Sequence, residues 1–461
     1  MQKTHPRRLV SRIAAWISPL LLLGAPAGSE TAEDPAGLAA ALARTNRAEP
    51  LPRYQLSIDA KPLRRLLAFR ERIQHQAFLS PDEREWVKAT FSFEGERYPA
   101  KLRIRGDLPA HWRGDRLSYR VKFKDQLFRS QKEINLIVPW DKHYGIEWLQ
   151  TRISEDLEVA FFPVRFVTLQ INGRDAGLYL ESEHPTAEYL ERTGRPASSI
   201  FTFAFYWSHY FGKTYHHAAF VLPGSRELPP VQGIAQIKQR ATWGSERPLF
   251  AKKQLAYALE LYRLLTLGSK EEIAARAGSY LALDNIARYI AIQNFFGSPH
   301  GMSLNDNLRL YLDSTSGQFE LMPWDTSLRP LDERLAAPGA SLEQLLTPQD
   351  PVFAMLLTAV PGLRERSDRF LRRLVGDGDR YRAELNRLHA RLIRLYPEDE
   401  RLRSDAEALD AQLLGNLQTL ERYFASATPP LPARGPAGEA RSEPKASGGA
   451  GFAGAVPARL D

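Results

Sequence analysis

The chain has no cysteine and only four methionines among its 461 residues. Without a thiol there is no disulfide, no thiolate zinc site, no cysteine nucleophile and no lipid-bearing cysteine anchor. A chain of this length is expected to fold on its hydrophobic core alone. Charge of one sign is also in short supply. The formal net charge is +8, and residues 1–27 contribute Lys3, Arg7, Arg8 and Arg12 with no acid, so the remainder carries about +4. That field is too mild to argue for nucleic acid. Long apolar runs are confined to residues 13–23, which follow those four cations and precede Ala25-Pro-Ala27. The pattern predicts a secretory signal peptide over 1–27, too short in its apolar part to span a membrane comfortably. The expected product is periplasmic or secreted, with no membrane span after signal cleavage. Several catalytic signatures are missing as well. Gly212-Lys-Thr214 lacks the P-loop glycine five residues earlier, where Trp207 stands. There is no Gly-x-Ser-x-Gly elbow, His-Glu-x-x-His pair or Rossmann glycine fingerprint.

What is present points to a mixed α+β chain. Residues 28–50 are Ala-, Glu- and Gly-rich and read as a linker. A core is expected over 51–335, a helical extension over 336–427 and a disordered tail over 428–461, where Pro, Ala, Gly and Ser dominate. Alternating strands are expected near 91–105, 119–124 and 166–183, the last broken by the Asn172-Gly173 hairpin turn. Helical spacing follows at Leu255, Leu259, Tyr262 and Leu265. It returns at Ile286, Tyr289, Ile290 and Gln293, with Asp284 as the expected cap. Leu385, Leu388, Leu392 and Leu395 give a further stripe.

Four constellations bear on chemistry. Asn307 and Asp325 bracket an alternating hairpin with its turn near Ser316, so an amide oxygen and a carboxylate meet at its open end. Such a hard-oxygen pair suits Mg²⁺ or Mn²⁺ beside nucleotide phosphates; a solvated surface hairpin is the other reading. Arg103, Arg105, Arg120, Lys122 and Lys124 share the polar faces of two strands, either as a phosphate-gripping surface or as solvated side chains. Tyr179, Glu181 and Glu183 share one strand face. There a carboxylate is placed to partner a phosphate-binding lysine, to act as one of a glycosidase pair, or simply to sit at the surface. Residues 201–220 are dense in aromatics and histidines, as a packed core or as a binding platform.

Taken in order, Arg105-Gly106, Ser118-Tyr-Arg-Val-Lys-Phe123, Ile134-Asn-Leu136 with Asp141, Asn172-Gly173 with Gly177, Tyr179 and Glu183, and Asn307, Leu310-Tyr311 and Pro323-Trp-Asp325 form a set. That set resembles the spore coat protein H (CotH) kinase family over about residues 51–335. The resemblance implies an atypical protein-kinase-like fold, β-rich first and helical later. It implies phosphoryl transfer from ATP, with Mg²⁺ or Mn²⁺, to Ser/Thr of a protein substrate in the cell envelope. By the same resemblance Arg105, Lys122 and Glu183 bind nucleotide, with Glu183 partnering Lys122, while Asn307 and Asp325 hold metal. The family's Asp ahead of the Asn is missing; His300 stands nearest its place and Asp306 is the only acid there. His300 then acts as general base, or the site is degenerate. A catalytically inactive pseudokinase or envelope scaffold is the alternative function.

Overall fold

The computed structural model describes residues 50–426 apart from 78, 80–82, 197, 203–237, 243–247, 299–300, 303–306 and 333–350. The expected signal peptide, nearly all of the linker, the tail and most of the 201–220 segment lie outside the described residues.

Period-two alternation builds the first part. Seven strands, β1 (Arg53–Ser57), β2 (Val87–Phe93), β3 (Glu96–Ile104), β4 (Tyr119–Phe123), β5 (Glu133–Ile137), β6 (Val164–Ile171) and β7 (Arg174–Glu183), close into a barrel in the order β1-β2-β3-β4-β5-β7-β6. The seam is the parallel pairing of β1 with β6, and every other neighbour is antiparallel. Closure removes exposed strand edges. It also sorts the alternating side chains into an inside and an outside. Leu102, Ile104, Tyr119, Val121, Phe123, Ile134, Leu136 and Tyr179 fill one continuous core. Helix α1 (Ala60–Ile73) packs Leu66, Phe69 and Ile73 into the same cluster. Between β6 and β7, Asn172 and Gly173 take φ of +49° and +77°, the left-handed pair that an Asn-Gly hairpin turn requires.

The rest is largely helical: α2 (Ile146–Asp156), α3 (Ala187–Arg192), α4 (Pro248–Leu267), α5 (Lys270–Tyr280), α6 (Leu283–Phe295), α7 (Pro351–Ala359), α8 (Leu363–Gly376), α9 (Gly378–Leu395) and α10 (Glu400–Ser426). A second sheet, β8 (Ser199–Thr202), β9 (Lys238–Thr242), β10 (Arg309–Leu312) and β11 (Phe319–Met322), has the order β11-β10-β8-β9. The expected stripes on α4, α6 and α9 face the core, although His389 joins Leu385 and Leu392 on the buried side of α9. Asp284 lies inside the first turn of α6 rather than at its cap, which is Ala282. The architecture is α+β, with the barrel first and the helices later. No described helix is long and apolar enough to cross a membrane.

Candidate functional site

The hairpin that carries Asn307 and Asp325 forms as its alternation predicts. Strands β10 and β11 pair from Arg309↔Met322 to Leu312↔Phe319, around a turn stabilised by Gly317 N–H donating to Asp313 O at 2.8 Å. Extending that register past the open end sets Asn307 opposite Trp324, so Asp325 stands one residue beyond the expected partner. Both residues remain at the same end of the hairpin. Asp325 is left-handed, with φ +56°. Trp324 packs edge-on against Phe162 at 5.1 Å, and the Arg309 guanidinium lies 4.7 Å from its ring centroid.

The group that meets Asp325 comes from the barrel. After β5 the chain enters a 3₁₀ turn, Pro139–Lys142, which proline opens at a position where its missing N–H costs nothing. His143 and Tyr144 follow with φ of +43° and +54°, and α2 begins at Ile146. Two successive left-handed residues without glycine are strained by about 1–3 kcal/mol each, so surrounding contacts must hold them. The turn aims Lys142 between three acids. Its ammonium contacts the Asp325 carboxylate and lies 3.5 Å from both Asp141 Oδ2 and Glu147 Oε1. Asp141 Oδ2 is also 3.6 Å from His111 Nε2 and 4.0 Å from Arg105 Nη1.

Electrostatics follow from that packing. Burial alone would lower the Lys142 pKa, but Asp325, Glu147 and Asp141 outweigh it and hold the ammonium well above the ordinary lysine range. Burial would raise Asp141, yet Lys142, His111 and Arg105 keep it below the ordinary carboxylate range. Burial dominates at Glu147 and raises it. At His111 burial lowers the pKa to about 4, against the pull of Asp141, so the ring is neutral at pH 7. Arg105 Nη1 lies 3.4 Å from His111 Nε2, and His111 Nδ1 lies 3.1 Å from Ser118 Oγ. With Arg105 donating to Nε2, the ring proton falls on Nδ1.

Beside this cluster, the outer face of β3 and β4 is densely cationic. Arg103 stands directly across from Arg120, and Lys101 across from Lys122. Like charges placed so are unfavourable unless something compensates them. Arg103 is only 4% exposed. Burial and the neighbouring Arg84 and Arg105 lower its pKa to about 9, which Asp107 and Glu133 offset only in part. Arg120 Nε donates to Asn135 Oδ1 at 2.9 Å, and its Nη1 lies 3.2 Å from His184 Nε2.

The structure does not bring Lys122 and Glu183 together. Lys122 is on the barrel's outer face, 45% exposed, and pairs with Glu133 at 2.9 Å. Glu183 aligns with inward-facing Ile134, is 1% exposed, and binds Arg192. Opposite strand parity puts the two on opposite faces of one sheet. Glu181 also points inward, where it accepts from Tyr54 and lies 3.4 Å from Arg165 Nε. Two enclosed, arginine-held carboxylates offer no room for a sugar, so the glycosidase pairing has no support. Arg105 and Asp325 do converge on one site. His300 and Asp306 lie outside the described residues. Sequence reasoning missed Lys142, Glu147 and His111, and named Asp141 only as part of a motif. The available signal was Pro139-Trp-Asp-Lys142, just past the 134–138 segment, with the same Pro-Trp-Asp order as Pro323-Trp-Asp325.

For a divalent ion, no group of three or more His, Asp or Glu is arranged to hold one among the described residues. Asp141 Oδ2 is nevertheless buried without a hydrogen-bond partner, close to Asp325 through their shared lysine. The carboxylates of Asp141 and Asp325, with Asn307 at the same end of the hairpin, offer hard oxygens of the kind Mg²⁺ takes together with water and substrate phosphate. They do not form a closed cage.

An α+β protein with a cation set among acids between a barrel and a hairpin is the class that fold and site define. A family model described as CotH kinase protein matches residues 102–425, and the chain belongs to that family. The match extends through α10, so the C-terminal helices are part of the family domain. Membership suggests a kinase-like function and the use of ATP. No curated protein matches the chain.

Proposed function

We propose that this protein is an exported phosphotransferase of atypical protein-kinase-like fold, working in the periplasm or outside the cell. It transfers phosphate from ATP, with Mg²⁺ or Mn²⁺, to Ser/Thr of an envelope protein. The observation that carries the reading is the meeting of Lys142 with Asp325, next to Arg105, the buried Arg103 of β3 and the half-buried Arg120 across from it on β4. Asp325, Asn307 and Asp141 would hold the ion. Bound with nucleotide, it would neutralise charge on the transferring phosphoryl group. Lys142 is charged at every working pH and grips a phosphate oxygen as a point charge. Arg103, Arg105 and Arg120 take the remaining phosphate oxygens, and this anion relieves their mutual repulsion. Asp141 and Glu147 keep Lys142 from wandering. His300, with Asp306 as the other candidate, receives the proton of the acceptor hydroxyl. Such a site works mainly by positioning and preorganised charge.

One observation favours a second reading, a pseudokinase scaffold: Lys142 already neutralises Asp325. A thermal-shift titration with ATP and MnCl₂ separates the two, because a ligand of the folded state raises the melting temperature by mass action. The kinase reading expects a shift in the wild type, its loss in Asp325→Ala, and transfer of label from γ-labelled ATP. No shift in the wild type selects the scaffold.

A further inference from the structure

We infer that Tyr144 and Asp399 are positioning residues, through which the N-terminus of α10 clamps the turn carrying Asp141 and Lys142. The inference rests on the phosphotransferase reading for its consequence in activity, but not for its geometry. His143 and Tyr144 hold left-handed backbone between Lys142 and α2, and glycine is absent from both positions. Something outside the turn must select that conformation. The Tyr144 hydroxyl supplies it, donating to both oxygens of Asp399 at 3.2 and 3.1 Å from 255 residues away. Asp399 is itself tied down. Its Oδ1 caps α10 by accepting from Leu402 N–H at 2.9 Å, and Arg116 Nη2 lies 3.6 Å from its Oδ2.

Arg116 carries the clamp into the barrel. It donates to Leu178 O on β7 at 3.2 Å, and its guanidinium lies 4.5 Å from the ring centroid of Trp140, inside the same turn. On the other side of the turn, Leu385 and His389 of α9 pack so closely on Gly145 that an added Cβ would come within 2.7 Å of Leu385 Cδ1. Helices that the sequence marks as an extension therefore shape the turn that aims Lys142 at Asp325. Removing the clamp relaxes His143 and Tyr144 and spreads the directions that Lys142 samples.

The test uses Tyr144→Phe, which deletes only the hydroxyl, and Asp399→Ser, which keeps a capping oxygen for α10 but cannot reach Tyr144. Asp410→Asn is the control: Asp410, also on α10, binds Arg382 of α9 at 2.8 and 3.1 Å and Asn386 at 3.0 Å, and among the described residues makes no hydrogen bond to the turn. Amide hydrogen exchange across 141–146 is expected to speed up about tenfold in both clamp variants and not in the control. The double variant is expected to add little to either single one, as for two ends of one contact. Affinity for ATP with MnCl₂, read by thermal shift, is expected to fall about tenfold in the clamp variants alone. Exchange at 141–146 that is unchanged, or raised equally in Asp410→Asn, overturns the clamp. A wild type that does not respond to ATP and MnCl₂ overturns the phosphotransferase reading instead, while the exchange measurement still decides the clamp.

Discussion

Lys142 and Asp325 are 183 residues apart in the chain and in direct ionic contact. One closes the 3₁₀ turn that follows barrel strand β5, and the other lies just past β11, in the hairpin of the second sheet. Their contact sets the cationic outer face of the barrel against the acid end of that hairpin, and the functional reading depends on it.

Replacing Lys142 by methionine should be costly. Asp141, Glu147 and Asp325 would then face one another without the ammonium that balances them. Breaking a buried pair from one side typically costs about 3–5 kcal/mol. Urea denaturation at pH 7 should show a loss of that order, with the response to ATP and MnCl₂ abolished. Adding Asp325→Asn to Lys142→Met should recover part of the stability and none of the response.

Lys122 and Arg103 should behave oppositely. Lys122→Ala breaks an ion pair that is 45% exposed on the lysine side, so its stability cost should stay under about 1 kcal/mol and nucleotide affinity should hardly change. Arg103 is buried and only partly compensated. Arg103→Met should leave stability level or raise it, as burying an apolar side chain in place of a charge often does, while weakening ATP binding about tenfold. Urea midpoints and ATP titrations on the two variants check both halves.

Gly106→Ala should damage fold and site together. Gly106 has φ +100°, and a Cβ there would fall 1.7 Å from His111 Cδ2. His111 cannot yield without disturbing Arg105, Ser118 and Asp141, which surround its ring. The expected loss is at least about 2 kcal/mol in urea unfolding, with a weaker nucleotide response.

Stability should fall as the solution is acidified below neutrality. His111 and His389 are buried, and burial lowers both to about 4 from an ordinary 6.5. A histidine with a depressed folded pKa binds its proton more readily when unfolded. Its contribution is complete above pH 6.5 and is lost progressively as pH drops towards 4, about 3 kcal/mol for each ring. His389→Leu should flatten the slope of urea midpoint against pH in that window. A slope equal to that of the wild type would show that His389 is not buried neutral.

Much of the fold was legible because strand parity and turn chemistry are local. Alternation at Leu102, Ile104, Tyr119, Val121 and Phe123 sorted core from surface, and Asn172-Gly173 marked its hairpin. The same parity, applied to both strands at once, would have kept Lys122 and Glu183 apart: Lys122 is out of phase with Val121, whereas Glu183 is in phase with Tyr179. Barrel closure was not legible, because the β1–β6 seam joins segments with no shared local signal. Nor was Lys142, whose role is set by partners at 141, 147 and 325 rather than by its neighbours in sequence.

By itself the sequence determined which residues alternate, which turns form, the family, and the pair of polar residues at the hairpin's open end. Each of these depends on contacts within a few residues, or on a pattern carried in linear order. Only the tertiary structure decided which cation meets Asp325 and which basic side chains are buried together. Those choices depend on how a closed barrel orients its outer face and on how α9 and α10 press the turn after β5. Both are settled by packing between segments far apart in the chain, where no local preference acts.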